Sequence, residues 1–195
     1  MNVPGVILAG GLSRRMGGGN KWLLPLGGRP VLSHVVERLA PQVSAMALNA
    51  NDIPDGVATD LPVIADTVPD RPGPLAGILA AMEWAAGQGA SHVVTVAADT
   101  PFFPEDLVVR LAAEADATGA PIVLAATRED GRRHPTFGLW SVALAADLGE
   151  ALAAGTRKIV LWTDAHGAVS AMFDGDPFFN LNTPEDLARA EAMVA

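Results

Sequence analysis

The fold is decided near the amino terminus by the stretch VPGVILAGGLSRRMGGGNK, residues 3–21. It begins with the apolar run Val3 to Leu8, which is typical of a buried strand in a parallel sheet. The glycine-rich and basic residues from Gly10 to Asn20 predict a loop. A loop that leaves a parallel strand lies at the carboxyl edge of the sheet, where α/β proteins bind their ligands.

Strand and helix patterns alternate along the rest of the chain. His92 to Ala97 and Val43 to Asn49 are apolar strand patterns, whereas Val31 to Leu39 and Leu75 to Gln88 have helical spacing. Further strand patterns lie at 61–64, 121–126, 136–140 and 169–173, and further helix patterns lie at 142–154, after Pro104-Glu105-Asp106 and after Thr183-Pro184-Glu185-Asp186. The pattern at Ile159 to Trp162 fits either element. We therefore expect an α/β fold with a mostly parallel sheet, and a partly antiparallel insert at Arg128 to Gly138, where the alternation breaks.

The amino-acid composition excludes several kinds of site and partner. The 195 residues suit one domain over 1–195, and the absence of cysteine excludes disulfides, thiolate nucleophiles, zinc fingers and iron–sulfur ligation. The 22 acidic residues against 13 basic ones argue against a nucleic-acid partner. Apolar stretches such as Val93 to Ala98 are far shorter than the ~20 residues a bilayer requires. At the amino terminus apolar residues precede basic ones, which is the opposite order to a secretory signal. We expect a soluble, cytoplasmic protein without a membrane partner.

The loop from Gly10 to Lys21 predicts a phosphate-binding site. It holds five glycines and three cations, and its backbone N–H groups can converge on phosphate oxygens without a Cβ in the way. A flexible surface turn with solvated arginines is the alternative. Asn20 and Trp22 exclude a Walker A motif, Trp22 also excludes the dinucleotide fingerprint, and Arg15 excludes a nucleophile elbow at Ser13.

Asp99 is the second candidate, because it lies just past the strand predicted at 92–97. A carboxylate at that edge can hold Mg²⁺ together with substrate phosphate oxygens, and a turn cap is the alternative. Gly73 and Gly77 flank a helix start whose free N–H groups attract anions, although an ordinary proline-initiated helix is the better explanation when this feature is taken alone.

Three further polar side chains are candidates. Asn180 and Asn182 occupy alternate positions of an extended segment and therefore point to the same side, where they can complete a metal or phosphate site. Capping of the last helix is the alternative, although Thr183 already supplies a cap. His134 lies in the irregular insert and is a candidate for facing the substrate.

In these motifs the chain resembles the molybdenum cofactor guanylyltransferases, the MobA family of nucleotidyltransferases, over nearly its whole length. The opening Leu-Ala-Gly-Gly motif is shared by many nucleotidyltransferases, whereas the ordered set is much more specific. The set comprises residues 8–21, Asn49-Ala50-Asn51, 73–77, Asp99-Thr100-Pro101, His134-Pro135-Thr136 and 180–184. The resemblance implies a three-layer Rossmann-like nucleotidyltransferase fold with helices on both faces of the sheet. It also implies Mg²⁺-dependent transfer of GMP from GTP to the molybdenum–molybdopterin cofactor, with release of pyrophosphate.

The resemblance also assigns roles to individual residues. It implies nucleotide contacts from Leu8, Ala9, Gly10, Gly11, Lys21, Asn49, Asp66, Gly73, Gly77 and Asp99, with Arg15 and Gly18 nearby. Arg15, Lys21 and Asp99 are the expected catalytic groups, with Asp99 also binding Mg²⁺. His134, Asn180 and Asn182 are expected on the pterin side. One departure is Asn20, where many members carry Asp, and it removes a negative charge beside Lys21.

The expected mechanism is catalysis by positioning and charge. GTP and the attacking pterin phosphate are both anionic, so Mg²⁺ on Asp99 together with Arg15 and Lys21 would bring them together. In-line attack on the α-phosphorus needs no covalent enzyme nucleophile, and an ionised phosphate monoester needs no general base.

Three other functions stay open at this point. They are a related transferase using CTP or a sugar phosphate, a non-catalytic chaperone of the molybdenum cofactor, and a kinase or GTPase. The Gly10-Gly11 pair resembles the guanine-specific members and favours GTP, whereas the absent Walker A motif disfavours a kinase. Cofactor-insertion proteins or recipient molybdoenzymes are the expected protein partners.

Overall fold

A twisted, mixed β-sheet organises the computed structural model, which describes residues 3–10, 20–54, 57, 59–68 and 73–194. The strands are β1 (Gly5–Leu8), β2 (Pro25–Leu26), β3 (Arg29–Pro30), β4 (Met46–Asn49), β5 (Val63–Ile64), β6 (His92–Ala97), β7 (Ile122–Thr127), β8 (Arg133–Ser141) and β9 (Val169–Phe173). The helices are α1 (Val31–Leu39), α2 (Pro74–Gly87), α3 (Leu107–Thr118), α4 (Ala145–Ala153), α5 (Ile159–Ala165) and α6 (Pro184–Val194).

The main sheet has the strand order β5-β4-β1-β6-β8-β7-β9. Strands β5, β4, β1 and β6 run parallel, as do β7 and β9. Strand β8 lies between β6 and β7 and is antiparallel to both. The predicted mostly parallel sheet is therefore confirmed, and the antiparallel strand β8 begins within the segment predicted as an insert but extends beyond Gly138 to Ser141.

Helices cover both faces of the sheet, as the three-layer prediction requires. Successive side chains of a strand point to opposite faces. Accordingly, Ile7 of β1 packs in a cluster with α1 and α3, whereas Val6 and Leu8 pack in another cluster with α2, α4 and α5. Two apolar layers thus hold the parallel strands at fixed positions.

Several local predictions change in the structure. The strand predicted at 43–49 spans only Met46–Asn49, and the helix predicted at 142–154 divides into a 3₁₀ turn at Val142–Leu144 and α4. Residues 159–162, which the sequence left between strand and helix, begin the helix α5. The acids after Pro104 were expected in the first turn of a helix, but α3 begins at Leu107, after Asp106. One free N–H group at this helix start is satisfied from outside the helix, because the Val108 N–H donates to Gln42 Oε1 (3.1 Å).

The carboxyl ends of β4, β1 and β6 meet at one edge. The Ala9 N–H donates to Asn49 O (2.9 Å), and the Ala98 N–H donates to Leu8 O (3.1 Å), so the backbone ladder continues just past the strands. A third cluster packs α6 against the β2–β3 hairpin and includes Leu181. This packing brings the segment before α6 to the same edge, where the Leu181 N–H donates to Asp99 O (2.9 Å).

In the described part of the chain, every helix is too short or too polar to span a bilayer.

Candidate active site

Two adjoining cavities open at the carboxyl edge of β1. The first cavity has a volume of about 220 Å³ and the second a volume of about 240 Å³. Both are lined by Leu8, Ala9, Gly10 and Pro74, which form the boundary between them. The remaining walls of the first cavity are Asn20, Asn49, Asn51, Asp52, Asp66, Gly73 and Gly77. Those of the second are Lys21, Trp22, Ala97, Ala98, Asp99, Thr136 and Asn180.

A fixed carboxylate lies in the first cavity. Asn49 Nδ2 donates to Asp66 Oδ1 (3.0 Å), and Asn51 Nδ2 donates to Asp66 Oδ2 (2.8 Å). The Asp66 N–H donates back to Asn51 Oδ1 (2.8 Å). Each carboxylate oxygen can accept two hydrogen bonds, so the two amides orient Asp66 and still leave acceptor capacity for a ligand.

Gly77 allows α2 to approach Asn49 closely. Asn49 is only 2% exposed, and its Nδ2 also donates to Ile64 O (3.2 Å). A Cβ built on Gly77 would lie 2.4 Å from Asn49 Oδ1, well inside van der Waals contact. The absence of a side chain at this position therefore decides where the asparagine sits.

The start of α2 forms another wall of the first cavity. Gly73 precedes the helix with a φ of +92°, a left-handed conformation that favours glycine. Pro74 is the first helical residue, where its missing N–H costs no helix hydrogen bond. The positive end of the helix dipole thus lies beside the cavity, which favours an anionic ligand.

The second cavity brings the carboxylate of Asp99 close to the ammonium group of Lys21. Asp99 Oδ2 lies 3.8 Å from Lys21 Nζ, and Asp99 Oδ1 accepts a hydrogen bond from Thr100 Oγ1 (3.3 Å). Burial raises the pKa of Asp99, although Lys21 and the Thr100 hydrogen bond act in the opposite direction. A carboxylate that is costly to ionise is well suited to hold a cation, which restores favourable surroundings for its charge.

Lys21 is held from a second side by the segment that precedes α6. Its Nζ donates to Asn182 Oδ1 (2.5 Å), and the Asn182 N–H donates to Asp186 Oδ2 (3.0 Å). Asp186 also accepts from the Thr183 N–H (2.9 Å) and donates its own N–H to Thr183 Oγ1 (3.1 Å), which is the reciprocal arrangement of a capping box. The predicted cap at Thr183 is therefore confirmed, and it anchors the asparagine that positions Lys21.

Asn180 belongs to the same segment and lines the second cavity. Its Oδ1 accepts from the fully buried Thr100 Oγ1 (2.7 Å). Asn180 is thus linked to Asp99 through Thr100, and Asn182 is linked to it through Lys21, and the oxygen of each amide already has a protein partner.

His134 lies away from both cavities. It is 8% exposed, its Nε2 lies 2.8 Å from Thr127 Oγ1, and its ring packs 4.5 Å from the ring of Phe178. Burial, with Arg132 as the next contribution, lowers the pKa of His134 to about 4. The geometry therefore gives this histidine a place in the core, and its predicted role toward the pterin gains no structural support.

The structure brings most of the predicted nucleotide-site residues together. Leu8, Ala9, Gly10, Asn49, Asp66, Gly73 and Gly77 line the first cavity, and Lys21 and Asp99 line the second. Gly11, Arg15 and Gly18 lie outside the described residues. Sequence reasoning did not assign Asn51 a role, although its place two residues after Asn49 was a usable signal, because alternate residues share a side.

Asp99 is the one acidic side chain among the described residues that line the second cavity, which limits how a metal can bind there. No group of three or more histidines, cysteines or acids that could hold a metal occurs among them. Mg²⁺ often takes only one or two carboxylates and completes its shell with substrate phosphates and water. Asp99, beside a cavity with room for phosphates, fits that mode of binding.

Comparisons with known proteins agree with this architecture. Residues 5–168 match the family model of the MobA-like NTP transferase domain. A molybdenum cofactor guanylyltransferase of Cereibacter sphaeroides is 49% identical over 196 residues, covering 100% of this chain and 98% of the relative. One from Bradyrhizobium sp. (strain ORS 278) is 46% identical over 200 residues, covering 99% and 93%.

Two solved structures share the fold. Molybdopterin-guanine dinucleotide biosynthesis protein A from Archaeoglobus fulgidus superposes with a TM-score of 0.76 at 24% identity, covering 98% of each chain. The 2-C-methyl-D-erythritol 4-phosphate cytidylyltransferase from Thermus thermophilus gives 0.68 at 21% identity, covering 99% of this chain and 98% of that one. At these identities the likeness extends to the fold alone.

Proposed function

The chain belongs to the family of MobA-like NTP transferase domains, and from that premise we propose that it transfers GMP from GTP to the molybdenum–molybdopterin cofactor and releases pyrophosphate. It is a nucleotidyltransferase by family, and relatives nearly half identical over its full length are named molybdenum cofactor guanylyltransferases. The observation that carries the proposal is a carboxylate fixed for base recognition in one cavity, next to an acid and a lysine in the adjoining cavity.

The first cavity suits guanine. The hydrogen-bonding edge of guanine carries the N1–H and N2–H₂ donors side by side, and a carboxylate can accept from both. Asp66 is oriented for such a contact by Asn49 and Asn51. The corresponding edge of cytosine carries one amino donor and two acceptors, which a carboxylate matches less well. This difference favours GTP over CTP.

The boundary of the two cavities suits the triphosphate. Lys21 supplies a positive charge on the side of the second cavity, and the start of α2 supplies the positive end of a helix dipole at the boundary. Asp99 would hold Mg²⁺, with phosphate oxygens and water completing the ligand shell. When bound, the ion would offset the negative charge of the phosphates.

The second cavity is then the place for the acceptor phosphate. An oxygen of that phosphate attacks the α-phosphorus of GTP, the bond to the bridging oxygen of the β-phosphate breaks, and pyrophosphate leaves with that electron pair. Lys21 offsets the charge that accumulates between the two anions, while Asn182 keeps its ammonium group in place. The chain has no cysteine, and this route requires no covalent enzyme intermediate.

Two roles remain predictions from the sequence. Arg15 would add a second cation near the triphosphate. In the cytoplasm, the protein would exchange the cofactor with insertion proteins or recipient molybdoenzymes.

The test is a pyrophosphate assay of the full chain with each of the four nucleoside triphosphates, Mg²⁺ and the molybdenum–molybdopterin cofactor. We expect release with GTP alone. Release with CTP alone would contradict the proposed base preference, and nucleotide binding without any release would instead support a chaperone.

A matched pair of variants tests the role of Asp66. Asp66→Asn replaces an acceptor oxygen by a donor, so the KM for GTP should rise by about tenfold or more, the effect of losing one charge-assisted hydrogen bond. Asp60→Asn changes an exposed acid six positions earlier and should leave that KM unchanged. Equal KM values in both variants would contradict guanine recognition by Asp66.

A further inference from the structure

The hydroxyl of Thr100 lies between two residues that line the second cavity, Asp99 and Asn180. Thr100 Oγ1 lies 2.7 Å from Asn180 Oδ1 and 3.3 Å from Asp99 Oδ1. Thr100 is itself fully buried. Its hydroxyl can therefore act on a ligand only through these two neighbours.

The Thr100 hydroxyl has one proton to donate, so Asp99 and Asn180 compete for it. A separation of 2.7 Å is typical of an O–H···O hydrogen bond, whereas 3.3 Å is longer than usual. The geometry therefore favours donation to Asn180 Oδ1. This hydrogen bond decides which end of the Asn180 amide faces the core.

Asn180 is an exposed residue that the protein holds from two sides. Its backbone is fixed by the next residue, because Leu181 is fully buried and the Leu181 N–H donates to Asp99 O (2.9 Å). Its side chain is fixed by the hydrogen bond from Thr100. The oxygen and nitrogen of a planar amide point apart, so an oxygen turned toward buried Thr100 leaves the NH₂ group on the exposed side of the residue.

An NH₂ group in this position suits an anionic ligand. An amide nitrogen donates two hydrogen bonds and accepts none, so it favours a negatively charged oxygen. The opposite orientation of the amide would present its oxygen, which repels a phosphate oxygen. Lys21 lines the same cavity and adds an attraction of the same sign.

We propose that Thr100 is a positioning residue for the second cavity: its hydroxyl holds Asn180 by the amide oxygen, so that the amide NH₂ group is presented to an anionic oxygen of the acceptor. The identity of the acceptor rests on the proposed function. An amide that is held in place before binding loses less conformational freedom when the ligand arrives. Thr100 thus acts through Asn180 and touches no substrate itself.

Substitutions of two buried threonines test the role of the hydroxyl. Thr100→Val removes the donor, whereas Thr100→Ser keeps it. Thr163→Val is the matched control, because Thr163 is equally buried and its Oγ1 donates to Val160 O (3.2 Å) within α5. By equilibrium dialysis, Thr100→Val should raise the Kd for the molybdenum–molybdopterin cofactor about three- to tenfold. Thr100→Ser and Thr163→Val should keep the wild-type Kd, even where the loss of a buried hydrogen bond lowers Tm.

Substitutions of Asn180 test whether Thr100 acts through the amide. Because Asn180 is exposed, its variants should fold like the wild-type protein. Asn180→Asp keeps an acceptor for Thr100 but replaces the NH₂ group by a charged oxygen. It should therefore raise the Kd at least about tenfold, and more than Asn180→Ala does. Adding Thr100→Val to Asn180→Ala should raise the Kd no further, because two groups in one linkage do not contribute additively.

The outcomes separate the role of Thr100 from the proposed reaction. A wild-type Kd in Thr100→Val, additive effects in the double variant, or wild-type binding by Asn180→Asp would overturn the role of Thr100 and leave the reaction intact. Absence of pyrophosphate release by the wild-type protein would overturn the reaction. The comparison of Kd values requires no turnover, so it would still decide whether Thr100 positions Asn180.

Discussion

Gly77→Ala offers a sharp test of the geometry of the first cavity. The new Cβ would lie 2.4 Å from Asn49 Oδ1 and 3.2 Å from Leu8 Cδ2, so the asparagine must move. Movement breaks the hydrogen bonds from Asn49 Nδ2 to Asp66 Oδ1 and Ile64 O. Two buried hydrogen bonds together are worth about 1–3 kcal/mol. Alanine in place of a helical glycine returns about 1 kcal/mol.

The net effect should be a loss of up to about 2 kcal/mol in the free energy of unfolding. The Kd for GTP should rise at least about tenfold, because Asp66 loses one of the two amides that orient it. Gly87→Ala, at the other end of the same helix, is the control. A Cβ there meets no atom within 4 Å, so this variant should gain up to about 1 kcal/mol and bind GTP normally.

Urea unfolding and equilibrium GTP binding, measured on the wild-type protein and both variants, decide the matter. If Gly77→Ala is as stable as Gly87→Ala and binds GTP like the wild-type protein, the close approach of α2 to Asn49 does not shape the cavity.

Three further predictions concern charged and polar groups. Burial raises the pKa of Asp99, so the contribution of Asp99 to stability is most favourable below its unfolded pKa and falls as pH rises through the folded pKa. Asp99→Asn should therefore raise Tm at pH 7 while turnover is lost. A lower Tm in this variant would count against this explanation. Burial lowers the pKa of His134 to about 4, so its contribution is present above its unfolded pKa and is lost as pH falls through the folded pKa. His134→Gln should therefore flatten the acid side of the stability profile by up to about 1.4 kcal/mol per pH unit, and superimposable profiles from urea unfolding would refute that origin. Asn182→Ala removes one anchor of Lys21 and should lower kcat/KM about three- to tenfold, whereas an unchanged value would mean that Asp99 alone suffices.

The sequence predicts well those elements whose apolar pattern is long. The helix predicted at residues 31–39 has those bounds in the structure, and the strand predicted at 92–97 does as well. The short apolar run at 159–162 was ambiguous, because a run of that length fits a buried strand or a helix equally. In the structure this run is helical, and the helix makes tertiary contacts: Trp162 is buried and its Nε1 donates to Asp147 Oδ1.

The site was predictable where it follows from strand adjacency. Strands β1 and β6 pair in parallel, so Asp99 and the residues that follow β1 meet at one edge. The contact between Asn51 and Asp66 depends instead on the pairing of β4 with the two-residue strand β5, for which the sequence gives only a weak signal. The sequence predicts that Trp22 lies in the core, but it does not show that the buried Trp22 Nε1 has no hydrogen-bond partner among the described residues, because that depends on which acceptors surround the ring.

The central claim is that Lys21 and Asp99 hold the reacting phosphates between the two cavities. The most direct test measures pyrophosphate release from GTP, with Mg²⁺ and the molybdenum–molybdopterin cofactor, by the wild-type protein and by Lys21→Ala, Asp99→Ala and Lys158→Ala. Lys158 is exposed before α5 and serves as the charge-matched control for Lys21. We predict a fall of at least about 100-fold for Lys21→Ala and for Asp99→Ala, with Lys158→Ala near the wild-type rate. Near wild-type rates in both Lys21→Ala and Asp99→Ala would contradict the account.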